Sequence, residues 1–221
     1  MTDLCEEIGF LFDLDGVIID SESEYTKIWQ LINLEYPTEY NDLAVRIKGT
    51  TLSKILNDYF LPEQHQEVTN RLHQLENQMQ YKYLPFAKEF LITLKSRNFA
   101  TALVTSSDET KMNRLWAQLP ELKDYFLYIV TGDQVSSSKP SPEGYILGAQ
   151  KINRDPRHCV VFEDSLQGVM AGKNAGAFVV GVAGTLPKET LAPYSQLLIE
   201  RFSDIDLEDL ILNISQIIHN E

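Results

Sequence analysis

Five short apolar runs are separated by helix-like stretches, a single one everywhere except after the first, where about seventy residues intervene, and this arrangement constrains the fold more than any other feature of the chain. The runs are residues 8–13 (IGFLFD), 100–105 (ATALVT), 128–131 (YIVT), 159–163 (CVVFE) and 178–182 (FVVGV). Apolar runs without polar alternation suit strands buried on both faces. Between them lie helical patterns. Residues 86–98 put Phe86, Phe90, Leu91 and Leu94 on one face. A second helix begins with Ser141 as its cap and Pro142 at its first position, and a third starts at Ser165 and stops at Gly176. Strands alternating with helices predict a doubly wound parallel α/β sheet.

The interval from Gly16 to Leu84 breaks that alternation. It contains no convincing strand and reads as helices at 21–36, 40–47, 52–59 and 62–83, broken at YPTEYND and FLPEQ. About seventy helical residues exceed a single crossover. The expectation is an inserted α-helical cap domain, residues 17–84, on an α/β core built from residues 1–16 and 85–221, with linkers near 16–21 and 83–86.

The chain has 221 residues, 43% of them hydrophobic, which is enough for a packed core. Its net charge of −13 argues against nucleic acid and against anionic membrane surfaces as partners. A small anionic substrate stays compatible with it, because a metal ion and a few local cations can reverse the field within a cleft. No apolar run approaches the roughly 18 residues of a membrane span. The acidic start MTDLCEEIGF is unlike a secretory signal, and two unpatterned cysteines, Cys5 and Cys159, suit reduced thiols, so a cytoplasmic protein is expected. The four histidines, His65, His73, His158 and His219, show no ligand spacing and are read as surface residues.

Ligands of open α/β sheets bind beyond the carboxyl ends of the strands. The first run delivers Asp13 and then Asp15, the second Thr105, Ser106 and Ser107, the loop after the third Lys139, and the fourth Glu163 and Asp164. Each has an ordinary reading alone: a turn, a helix cap, a solvated lysine, acids at a helix start. Together they make one chemistry. Asp13, Asp15 and Asp164 would repel one another unless a hard cation such as Mg²⁺ joined them. The hydroxyls and amides of 105–107, leading into a helix whose N-terminus favours anions, suit a phosphate. A carboxylate beside a metal and a phosphate can act as a nucleophile, and a second one two residues on can move protons.

The segments DLDGVIIDSE, VTSSD, SSKPSPEG and FEDSLQGVMAGKNAG resemble, in order and spacing, the four motifs of the haloacid dehalogenase-type hydrolases. The resemblance covers essentially the whole chain and is closest to the branch with β-phosphoglucomutase and small sugar-phosphate phosphatases. It implies a Rossmann-like core with a helical cap. Asp13 would be nucleophile and Mg²⁺ ligand. Asp15 would be the acid/base, with its backbone carbonyl on the metal. Thr105 and Ser106 would hold the phosphoryl group, Lys139 would bridge it to Asp13, and Asp164 would bind metal with Glu163 ligating or supporting it. In the cap, KGTT (48–51) reads as the substrate loop, with Lys48 and Gly49 as contacts.

Two departures from the mutase pattern bear on the reaction. Tyr25 stands where mutase-like members commonly have histidine, and Leu52 aligns with the arginine that grips a second phosphate. Arg46, Lys48 and Lys54 are near enough in sequence to compensate. The expected activity is therefore a Mg²⁺-dependent phosphatase for a small phosphorylated metabolite, a sugar phosphate, acting as a monomer. A phosphohexose mutase is the alternative. A receiver-like switch module would share the acids, hydroxyls and lysine but not the helical insertion.

Overall fold

The computed structural model describes residues 7–219. Cys5 and most of the acidic start lie outside that range, as does the side chain of His219. The first strand, β1 (Gly9–Phe12), leads into a helical layer of α1 (Glu22–Glu35), α2 (Leu43–Arg46), α3 (Leu52–Tyr59) and α4 (His65–Glu76). The chain then alternates through α5 (Ala87–Ser96), β2 (Ala100–Val104), α6 (Glu109–Gln118), β3 (Tyr128–Val130), α7 (Glu143–Lys151), β4 (Cys159–Glu163) and α8 (Leu166–Asn174). It finishes with β5 (Phe178–Val182), α9 (Lys188–Leu191), β6 (Leu197–Ile199) and α10 (Leu207–His219). No helix among the described residues is long and apolar enough to cross a membrane.

The six strands lie in the order β3-β2-β1-β4-β5-β6, every pairing parallel. The chain runs outward from β1 to β3 and then crosses back to β4, which makes the C-terminal edge of β1 and β4 a topological switch point. Strand parity decides what emerges there, because successive side chains point to opposite faces. Phe10 and Phe12 enter a large aromatic core with Phe90 and Phe162, where Phe12 stacks on Phe162 at 4.6 Å. Such a stack contributes about 1 kcal/mol beyond its buried area. Leu11 and Val161 face the other layer, with Tyr145 of α7. Asp13 and Glu163 continue that second parity and so emerge over Tyr145. Cys159 is a free buried thiol in the same layer, and burial pushes it up to about 12.

The crossings between sheet and helical layer run side by side. Asp20 donates its amide to Lys82 O at 2.9 Å, Leu84 donates to Ile18 O at 2.9 Å, and Ile19 bridges Tyr83 antiparallel. This pairing corrects the expected helix at 62–83. Pro62–Gln64 is a 3₁₀ turn, α4 stops at Glu76, and the last residues straighten to meet Ile19. The expected helix at 40–47 shortens to α2. Asn33 accepts from the Thr38 amide and hydroxyl and donates to Tyr40 O, which holds this stretch as a loop. Strand β6 and helix α10 lie beyond the five expected runs. Helix α7 starts one residue later than expected, although the Ser141 hydroxyl still accepts from the Glu143 amide at 3.3 Å.

Candidate active site

Asp13 leaves β1 with its amide donating to Phe162 O at 3.0 Å, which fixes the turn at the sheet edge. Lys139 reaches it from the loop after β3, Nζ standing 2.5 Å from Asp13 Oδ1. The same ammonium donates to Glu163 Oε1 and to Val104 O, the latter at 3.3 Å. That loop is held by Glu143, whose carboxylate accepts the amides of Ser136 and Ser137, each at 2.8 Å. Burial alone would depress Lys139, but the Asp13 and Glu163 carboxylates override it and keep the ammonium firmly charged. Burial pushes the Asp13 carboxyl up to about 8; Lys139 opposes that rise while Glu163 and Asp15 add to it.

Glu163 is fully buried and fully engaged. Oε1 takes Lys139 and the Tyr145 hydroxyl, the latter at 2.7 Å. Oε2 takes the amides of Asp164 and Ser165 and the Ser165 hydroxyl. Its packing depends on Gly168, where a Cβ would lie 1.8 Å from the Glu163 carboxyl carbon. Asp13, Glu163 and Asp164 each offer an oxygen within 4.8 Å of the others, a cluster that could hold a metal ion. Three buried carboxylates beside the single Lys139 ammonium leave an excess of negative charge, and an all-oxygen donor set is the kind Mg²⁺ prefers. The residues therefore fit a divalent cation. With its oxygens already accepting five hydrogen bonds, Glu163 suits support of the site better than ligation.

Asp15 projects into the same cleft. Its carboxylate accepts from the Ser21 hydroxyl, from Lys111 Nζ and from the Ser107 hydroxyl, the last at 3.2 Å. Gly16 follows at φ +74°, and a Cβ there would lie 1.9 Å from Asp164 Oδ2. Glycine at this position both turns the chain toward the cap and lets the fourth strand's acid approach the first strand's.

The remaining expected residues line the cleft: Thr105, Ser106, Lys48 and Gly49. Thr105 Oγ1 accepts from the Ser107 amide at 3.0 Å, and the Ser106 hydroxyl donates to Gly49 O at 2.9 Å, tying the cap loop to the core. The N-terminus of α6 is capped by the chain's own acids. Asp108 accepts from the Lys111 amide and Asp133 from the Glu109 amide, each at 2.8 Å, so the dipole that would attract phosphate holds two of the chain's own carboxylates. Arg46 and Lys54, near enough in sequence to compensate for Leu52, stay outside the cleft lining. Each is exposed and pairs outward, with Asp42 and Asp58 respectively, and only Lys48 of the three lines the cleft. Leu52 lines it as well. His73 is no plain surface residue: it is half-buried, 3.3 Å from Asp108 across the seam between cap and core.

The family description of the haloacid dehalogenase-like hydrolases matches residues 10–182. The chain belongs to this family. A phosphorylated carbohydrates phosphatase from Thermotoga maritima is 33% identical over 174 residues, covering 75% of this hydrolase and 80% of that protein. A bifunctional riboflavin kinase/FMN phosphatase from Arabidopsis thaliana is 33% identical over 206 residues, 90% of this chain and 54% of that one, so this hydrolase spans about half of that relative. A solved structure of β-phosphoglucomutase from Clostridium difficile superposes with a TM-score of 0.78 at 25% identity, covering 95% and 98% of the two chains.

Two charged residues of the hydrolase's cleft, Lys111 and Glu76, lie outside the motifs. Lys111 is buried, bound to Asp15, with its ammonium 4.1 Å from the Tyr25 ring centroid. Glu76 accepts from the Tyr25 hydroxyl at 2.7 Å, and Ser21 binds Asp15. A buried lysine on a helix that begins at a strand end was the one available signal, and in sequence it looks like any solvated helical lysine.

Proposed function

We propose that this chain is a Mg²⁺-dependent phosphatase acting on a small phosphorylated metabolite, a sugar phosphate, through an aspartyl-phosphate on Asp13. The observation that carries this reading is the contact of Asp13 with the buried Lys139 ammonium, in a cleft that also holds Asp15. Lys139 orients the Asp13 carboxylate and neutralises charge as the carboxylate oxygen attacks phosphorus. The alkoxide leaves and takes a proton from Asp15. Asp15, now a carboxylate, then draws a proton from water, whose oxygen attacks phosphorus and frees Asp13 and inorganic phosphate. Thr105 and Ser106 are assigned to the transferring phosphoryl group, and Lys48 and Gly49 to the rest of the substrate. Mg²⁺ held by Asp13, Asp164 and the Asp15 backbone carbonyl, with Glu163 behind them, would supply charge neutralisation at the phosphoryl oxygens. The similarity to the Thermotoga carbohydrate phosphatase supports the substrate class.

Hydrolysis is favoured over mutase action by what the cap presents. A mutase must regrip a bisphosphate, and of the cap cations weighed for that task only Lys48 lines the cleft, while Leu52 puts an apolar side chain there. The test is phosphate release from a generic aryl phosphate and from sugar phosphates. Release should need Mg²⁺, stop with a chelator, and fall by about 10⁴-fold or more in Asp13→Asn. Activity that survives Asp13→Asn, or isomerisation without net phosphate release, would sink the reading.

A further inference from the structure

The cleft has two chemically different ends. Around the acids it is polar, and the cap adds Tyr25, Thr26, Lys48, Thr50 and Glu76 to the lining. The Lys111 ammonium that binds Asp15 sits against the Tyr25 ring, Glu76 is bonded to the Tyr25 hydroxyl, and Lys48 adjoins Gly49, which is held by Ser106. One helical turn beyond Tyr25 along α1, about 5.4 Å further on, the lining becomes Trp29, joined by Ile47 just after α2 and by Leu52 and Ile55 of α3. Trp29, Ile47 and Ile55 keep only 4–6% exposure, so their ordered faces form a wall.

A polyol meeting that wall would surrender water contacts at several hydroxyls and regain few of them, at Thr26 and Thr50 of the cap lining. A flat ring with little polarity on its faces would lose nothing comparable and would cover indole and aliphatic surface. We infer that the substrate is a phosphosugar carrying a flat heteroaromatic ring, the sugar lying in the polar zone and the ring against Trp29, Ile47, Leu52 and Ile55. This rests on the phosphatase reading and narrows its substrate class.

The experiment compares ribose 5-phosphate with uridine and adenosine 5′-monophosphates, with acetyl phosphate as a control lacking both sugar and ring. At least one nucleotide should exceed ribose 5-phosphate in kcat/KM by about tenfold or more, the scale on which apolar pockets discriminate. Leu52→Asn, at a half-buried site on the first turn of α3, should lower that ratio by about tenfold. A binding readout separates the inference from the reaction. The chain has two tryptophans, so Trp116→Phe leaves Trp29 as the sole indole emitter. In the Asp13→Asn background a nucleotide should quench it and ribose 5-phosphate should not. If none of the four phosphates is cleaved, the phosphatase reading falls and the quenching titration alone decides the inference. It is overturned if neither nucleotide outruns ribose 5-phosphate, or if neither quenches Trp29 more than the bare sugar phosphate does.

Discussion

Arg114 Nη1 on α6 lies 2.6 Å from Glu76 Oε2 at the end of α4, and both side chains are largely shut off from water at the seam between cap and core. The same face of α6 binds the cap three times more: Arg114 Nε donates to Asn77 Oδ1 at 2.6 Å, and Gln118 donates to Met79 O and accepts from the Tyr81 amide, each at 3.1 Å. Burial is the largest influence on the Glu76 carboxyl and raises it, with Lys111, Tyr25 and Arg114 pulling the other way. Removing one partner of a buried pair strands the other charge, at a cost of about 3–5 kcal/mol. Arg114→Ala should therefore lower the free energy of unfolding in urea by about that much. The double variant Glu76→Gln/Arg114→Met should recover a large part of it. A single-variant loss below about 1 kcal/mol would mean the seam does not depend on this pair.

Alanine at position 168 should act against the usual rule for helices. Gly→Ala in a helix interior ordinarily stabilises by about 1 kcal/mol. In α8 the added methyl would instead collide with the Glu163 carboxyl group, whose hydrogen bonds hold Lys139. Overpacking of this kind costs about 1–3 kcal/mol. Gly168→Ala is expected to melt earlier and to lose activity, while Gly172→Ala, elsewhere on α8 against Val161, is expected to lose stability with less loss of activity. Equal activity losses in the two variants would contradict the positioning role of Glu163.

Much of this site was legible because its chemistry sits where strands end. Asp13, Asp15, Thr105 and Asp164 are delivered by position along short apolar runs, and parallel pairing brings those ends together; Lys139 depends on the loop after β3, which Glu143 holds. Lys111 was not legible. It lies 96 residues from Asp15, and only the approach of α6 to β1 turns a helical lysine into a buried partner. Glu76 was hidden inside a helix expected to continue to Tyr83, where helix-favouring composition yields to the pairing of Tyr83 with Ile19. Strand β6 is three residues long at the sheet edge with Leu197 exposed, too short and too one-sided to give a strand pattern.

The pH dependence of stability follows from Asp13. The unfolded chain releases this proton near 3.8, whereas the folded chain holds it to about 8. Between those values the folded state binds more protons, so stability falls as pH rises through the window. In chelator, the urea midpoint should be higher at pH 5 than at pH 8, and Asp13→Asn should remove part of that slope. Mg²⁺ at pH 8 should raise the midpoint by binding the folded state alone. A slope unaltered by Asp13→Asn would exclude this carboxyl as a source.

Lys111→Met keeps the side chain's length and removes its charge. Asp15 would then be held by hydroxyls alone, Ser21 and Ser107, and its placement toward a leaving group would loosen. Turnover should fall by about tenfold or more, in keeping with a general acid whose position is degraded. KM should change less than kcat, and Lys111→Arg should restore part of the rate. Full activity in Lys111→Met would show that the hydroxyls suffice.

The two strands of chain that join cap and core pass each other at hydrogen-bond distance, Asp20 N to Lys82 O and Leu84 N to Ile18 O. Everything between them is thus a detour that begins and ends at one spot. The sheet, the aromatic core and the acids of β1 and β4 would keep their connectivity if that detour were replaced by another of different length and lining. The scaffold can be regarded as a socket: on the proposed reading, the reaction belongs to the part that stays, and the choice of molecule to the part that can be exchanged.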